Sequence, residues 1–218
     1  MPIHNDEELA AAVAKVSELL QDIQAYAKRD CAISAKVRFP RGYIPSATEV
    51  RTTLKFLNNS HLKSNIACTM LLSDVQHWLL VRTDLAGTVR GMVIKLQLFL
   101  LGNIVASATK AFLQGQLIGN FSKRTAYLES SGIISAHLRA ELDWLWARRN
   151  EAHLLQIENV EWASSDYTAA NHHRATNAFK ALLAALNNVS PQEISLTNRG
   201  EKTPPGSRES LPVTAFCP

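Results

Sequence analysis

Residues Val89 to Gln114 form a run without proline that is apolar almost all the way round a helix. A helix of that kind cannot stay on a surface and has to be covered by other elements on every side. Within the run, Met92 to Leu113 has about the length of a bilayer span, yet it carries Lys95, Gln97, Asn103 and Lys110. Four polar or charged side chains in one span are costly in hydrocarbon, so the segment reads as the central buried helix of a bundle. The rest of the chain must then supply the helices that enclose it.

It has the material to do so. Asp6 to about Arg29 starts with Asp6, Glu7 and Glu8, where the helix dipole favours negative charge. Leu9, Val13, Val16, Leu20, Ile23 and Tyr26 then recur at steps of three and four, giving one apolar face. Arg38 to Pro45 holds two prolines and a glycine and is a loop. Ser46-Ala47-Thr48-Glu49 has capping-box spacing and opens a second helix through about Leu57, ended by Asn58-Asn59-Ser60. A third helix is predicted over His61 to Val81, with Ile66, Met70, Leu71, Val75, Trp78 and Leu79 on its apolar side. The polar turn Thr83 to Thr88 leads into the central helix. A break over Gly115 to Ser122 precedes a short helix over Lys123 to Ser130 that Gly132 ends.

Ile134 to about Gln156 is the fifth long helix, and Asp166 is a candidate cap for a last one over Tyr167 to Asn187. In that last helix Ala170, Arg174, Ala178, Leu182 and Leu186 fall along one line. After Ser190 the composition turns polar, with Thr203-Pro204-Pro205-Gly206-Ser207, and no apolar period survives. The expected organisation is N-terminal helices and a basic loop over 1–60, a bundle over 61–189 and a disordered tail over 190–218. The fold class is all-α, an antiparallel helical bundle with no repeat and no strand pattern.

Composition narrows the function classes. Among 218 residues, 46% are hydrophobic and 19% charged, a globular profile with ample chain for a core. A net charge of +4 and a pI near 9.1 are compatible with a phosphate-bearing partner without demanding one. Cys31, Cys68 and Cys217 are odd in number and widely separated, which reads as free thiols in a reducing, cytoplasmic compartment. The start, MPIHNDEELA, is no secretory signal. Neither a membrane anchor nor a cofactor is expected, and no GxGxxG, P-loop, nucleophile elbow or HExxH occurs.

Chemistry concentrates in the fifth long helix. Leu138, Leu142 and Leu145 make a buried stripe whose continuation lands on Arg149, Ala152 and His153. Ionisable groups stand where the pattern calls for apolar ones, and such inconsistency is where a functional site is expected. Arg149 and His153, four apart, lie about 40° apart around the axis, and Asn150 flanks the same surface. A histidine there can move a proton near neutral pH and an arginine can steady charge on a phosphate, which together suit metal-free RNA cleavage. An arginine and a histidine near a helix C-terminus also simply complement its dipole.

The stretch Leu142-Asp143-Trp144-Leu145-Trp146-Ala147-Arg148-Arg149-Asn150-Glu151-Ala152-His153 resembles the signature of the HEPN domains, helical domains of prokaryotic toxins, phage-defence proteins and CRISPR-associated ribonucleases. Those families carry an arginine, usually followed by a polar residue, and then four to six residues before a histidine on a late helix. The likeness extends over roughly residues 61 to 187. Arg148 satisfies the spacing to His153, whereas Arg149 with Asn150 matches the arginine-polar pair but sits one residue short.

The resemblance implies a metal-independent endoribonuclease of a defence or toxin–antitoxin system. In it His153 is the proton-transfer group, Arg148 or Arg149 the phosphate stabiliser and Asn150 an orienting residue. It also implies a homodimer whose two Arg/His sets share one cleft, with Trp144 and Trp146 near that interface, and an antitoxin or other partner protein. An inactive module of the same fold that binds a protein or nucleic acid is the alternative.

Three further groups stand out. Arg38, Arg41, Arg51 and Lys55, interleaved with Phe39 and Tyr43, have the composition of an RNA-contacting flap and equally that of an exposed loop clasping a helix pair. His172-His173 invites a metal reading, but neighbouring side chains on a helix diverge by about 100°, and no third ligand has suitable spacing. Asp74 and His77, one turn apart near Trp78 and Arg82, read as polar contacts on a half-buried helix. No metal site is expected.

Overall fold

The computed structural model describes residues 2–30, 32–113, 119–151 and 166–189, and every regular element among them is an α-helix. The helices are α1 (Asp6–Ala27), α2 (Ala47–Thr53), α3 (Ser60–Arg82), α4 (Gly87–Phe112), α5 (Phe121–Ser130), α6 (Ala136–Glu151) and α7 (Ala169–Asn188). The chain divides into two compact units, Met1–Arg41 and Gly42–Pro218. The first contains α1, of which no residue is buried. The second is the helical bundle. It includes α2, which the sequence reading grouped with the N-terminal segment and which packs on α3. The expected tail over 190–218 lies outside the described residues.

Helix starts follow side-chain capping. Ser46 Oγ accepts from the Glu49 amide at 3.2 Å while Glu49 returns a 2.6 Å bond to the Ser46 amide, the reciprocal box the spacing predicts. Asn59, Asn120 and Ser135 accept from the amides three residues on, at 3.0, 3.0 and 3.1 Å, and so open α3, α5 and α6. For α7 the sequence named Asp166, but Thr168 is the cap, accepting from Asn171 at 3.2 Å. The Asp166 carboxylate is instead drawn to Arg148, 2.7 Å away.

α4 is the centre, as its composition requires. It packs against α3, α5, α6 and α7, and Ile94, Leu98, Leu101, Ile104, Val105, Ala108 and Phe112 on it are buried. It is also the one described helix long and apolar enough to cross a membrane, with 50% of that window buried in the bundle. Gln97, buried within α4, donates to Ser73 Oγ of α3 at 2.8 Å, which gives the nitrogen of one of the polar groups that argued against a span its acceptor. On α3 the buried residues are Ile66, Ala67, Ser73, Gln76 and Leu80; of the predicted apolar side Ile66 is among them, and Met70 and Leu71 pack against the core.

α7 closes the bundle with Ala175, Ala178, Phe179, Leu182 and Leu186, while Ala170 and Arg174 of the predicted line are exposed. Asn187 then fastens the far end to the chain just after α2. Its amide nitrogen donates to the Thr53 carbonyl at 2.7 Å and its oxygen accepts from the Lys55 amide at 3.0 Å.

Candidate functional site

The buried stripe of α6 runs through Leu142 and Leu145, both fully buried, and the next step places Arg149 against α4. The two helices meet where α4 has no side chain. A Cβ on Gly102 would lie 2.6 Å from the Arg149 Cβ and 2.9 Å from its Cγ, so only glycine admits the arginine stem at this crossing.

The guanidinium emerges from the crossing into a fixed setting. Its Nε–H donates to Asn103 Oδ1 at 2.9 Å and its Nη1 to Asn150 Oδ1 at 3.0 Å. It lies 5.4 Å from the Phe99 ring centre and 4.9 Å from that of Trp146, within cation–π range of both. Trp146 stacks in turn on buried Phe121, with centres 4.9 Å apart and planes 22° apart. Arg149 is thus a half-buried cation whose position is set by two amides and two rings.

Arg148 points elsewhere. Its Nη1 lies 2.8 Å from Glu151 and 2.7 Å from Asp166, which ties the end of α6 to the start of the next described segment. Asn150 serves as an acceptor for Arg149. The described part of α6 ends at Glu151, and His153 lies outside the described residues. The structure therefore brings Arg149 and Asn150 together, separates Arg148 from them, and adds Asn103 from α4. The sequence contained a signal for Asn103, a polar residue beside a glycine in an otherwise apolar helix, but not its partner.

The other face of α6 is locked to α7 and α5. Arg174 grips Glu141 through Nε at 2.6 Å and Nη2 at 3.0 Å while lying 4.0 Å above Trp144. That ion pair holds the Glu141 carboxyl below its ordinary range. Asp143 accepts from Thr125 of α5 at 2.8 Å, and Arg139 pairs with Glu129. Both tryptophans of α6 are therefore engaged within their own bundle.

The basic group divides between the two units: Arg38 and Arg41 belong to the first, Arg51 and Lys55 to the second, and all are exposed. Tyr43, read as a stacking ring, meets Trp78 edge-on, with centres 6.5 Å apart. The two adjacent histidines diverge as predicted, His172 buried and His173 exposed. Sequence reasoning missed the partner of the first: His172 Nε2 faces His77 Nδ1 of α3 at 3.3 Å. Burial, with positive charge on His77, His173 and Arg90, pushes His172 down to about 4. Burial likewise lowers His77 and raises Asp74. Among the described residues no group of three metal-binding side chains converges.

Comparisons with protein-family models, with curated proteins and with solved structures find no match to this chain.

Proposed function

We propose that the chain is a metal-independent endoribonuclease of the HEPN type, acting inside the cell as a homodimer in a defence or toxin–antitoxin setting with a partner protein that restrains it. The observation that supports this reading best is the fixation of Arg149 by Asn103 and Asn150 between Phe99 and Trp146. A guanidinium has five donors in a rigid fork, and Asn103 and Asn150 engage two of them. A cation already held in place stabilises a developing phosphorane charge without reorganising at the moment of reaction.

In the proposed reaction the ribose 2′-oxygen bonds to phosphorus and the bond to the 5′-oxygen breaks. His153 takes the hydroxyl proton or supplies one to the leaving oxygen, and the products are a 2′,3′-cyclic phosphate and a 5′-hydroxyl. Of the two arginines, Arg149 is the phosphate stabiliser. Arg148 is already neutralised by Glu151 and Asp166.

The second reading, an inactive module that binds RNA or protein, is favoured by the Arg149–Asn103 bond, because it also knits α4 to α6. RNA cleavage in EDTA separates the two. Wild type yields cyclic-phosphate ends, and His153→Ala and Arg149→Ala, folded by circular dichroism, lose at least about a hundredfold in rate. Absence of cleavage by folded wild type assigns the motif to the binding module.

A further inference from the structure

α1 carries an apolar face that its own unit does not cover. Leu9, Val13, Val16, Leu19, Leu20, Ile23 and Tyr26 are exposed, from 42% at Leu20 to 84% at Tyr26. The steps from Leu9 through Val13, Val16, Leu20 and Ile23 to Ala27 alternate four and three without a break. That is a period of 3.5, the seam of a coiled coil, with Leu9, Val16 and Ile23 at d and Val13, Leu20 and Ala27 at a. The flanks agree. Positions e and g hold Ala10, Ser17, Gln24, Ala12, Leu19 and Tyr26, and every charge between Leu9 and Ala27 (Lys15, Glu18, Asp22) falls at the outer positions.

We propose that α1 is a self-association helix that pairs antiparallel with α1 of a second copy of this chain. The direction follows from charge. The first turn bears Asp6, Glu7 and Glu8, whereas Lys28 and Arg29 follow the last turn, where the chain leaves the helix at Lys28 with φ 49°. A parallel pair sets acid beside acid and base beside base. An antiparallel pair sets each acidic start beside the partner's basic end and opposes the two macrodipoles.

One register uses the whole seam. Leu9 layers on Ala27 of the other copy, Val13 on Ile23 and Val16 on Leu20, and each layer recurs by symmetry. In that register Leu19 meets its own symmetry mate, Tyr26 covers Ala12, and Ala10 stands opposite Gln24. Each Tyr26 thus faces a small residue at the ends of that flank, the two Leu19 side chains meet at its centre, and no like charges face each other within the helices. This pairing is separate from the α6 cleft of the proposed nuclease and stands whether or not the chain cleaves RNA.

Sedimentation of the full chain over a concentration series tests the association. Wild type self-associates, and Val16→Glu/Leu20→Glu loses the α1 step, sedimenting at a lower mass (a monomer, or the α6 dimer where the nuclease reading holds), while its bundle melts as before, since no α1 residue lies in the core. Orientation is read with Cys31, Cys68 and Cys217 replaced by serine and a short bismaleimide cross-linker. Differently tagged full-length Ala10→Cys and Gln24→Cys chains cross-link to each other, and neither cross-links to itself, because the two positions are roughly 21 Å apart along one helix. Self-cross-linking of Ala10→Cys overturns the antiparallel pairing. A wild-type monomer, with α1 covered by its own bundle, overturns the association itself, as does an assembly whose mass Val16→Glu/Leu20→Glu leaves unchanged.

Discussion

A methyl group at position 102 would sit 2.6 Å from the Cβ of Arg149, on a helix that otherwise gains from exchanging glycine for alanine. The helix preference is worth about 1 kcal/mol, and forcing a methyl into a close crossing costs about 1–3 kcal/mol. The overlap involves the stem of a side chain pinned at its far end, so it prevails. Gly102→Ala is expected to lower stability by about 1 kcal/mol in urea unfolding, and a raised midpoint would show that α6 shifts freely. Asn103→Ala leaves the Arg149 Nε–H without its acceptor, at about 1–3 kcal/mol. On the nuclease reading it also slows cleavage without touching Arg149 or His153.

The step from Leu145 to Arg149 was legible in the sequence, because an arginine on a leucine stripe breaks the pattern. The contact of Arg149 with Asn103 was not, because the sequence displays both residues but not the point at which α4 crosses α6.

The start of α2 was legible as a cap at Ser46, whereas Asn59, read as the end of that helix, and Asn120, read as part of a break, cap α3 and α5. The cap of α7 was misread because an aspartate and a threonine both preceded it, and the aspartate was taken by Arg148. On α3 the reading held for Ile66, Met70 and Leu71, but Ser73, which bonds to Gln97, and Gln76 are also buried, which a rule based on apolarity alone cannot anticipate.

The His77–His172 contact between α3 and α7 has a pH consequence. His172 is pushed down to about 4 in the fold, so between that value and the ordinary one near 6.5 the unfolded chain takes up a proton that the folded chain does not. Stability therefore rises with pH across this window and falls on acidification. The His172 contribution is on the order of 2–3 kcal/mol over the full span. His77 acts in the same direction, and Asp74, raised by burial, acts oppositely. Urea unfolding at pH 4.5 and pH 7.5 should show a markedly smaller difference for His172→Gln than for wild type. Equal differences would mean that other groups carry the dependence.

For the molecule as a whole, the buried hydrophobic core begins at Val50 and ends at Leu186. A chain starting at Gly42 is therefore expected to keep the bundle, with a thermal midpoint within a few degrees of the full chain, as followed by circular dichroism. The same truncation abolishes the self-association proposed for α1. Loss of the cooperative transition would show that the first unit is needed to complete the core.

That core could be inferred as a class of structure from one long apolar helix that required cover. Which helices flank it, and where each crosses it, depends on contacts between residues far apart in the chain, and periodicity carries no information about those.

The clasp that Asn187 makes on Thr53 and Lys55 spans 134 and 132 residues. Contacts of such separation form only after the intervening chain is in place. During synthesis, α2 through α6 leave the ribosome before the helix that covers them, and their apolar faces stay open until α7 follows. The bundle is thus committed to closing only once α7 has emerged. A chain cut short before Asn187 would yield an unsealed bundle, a natural target for chaperones and proteases rather than a smaller working version of the molecule.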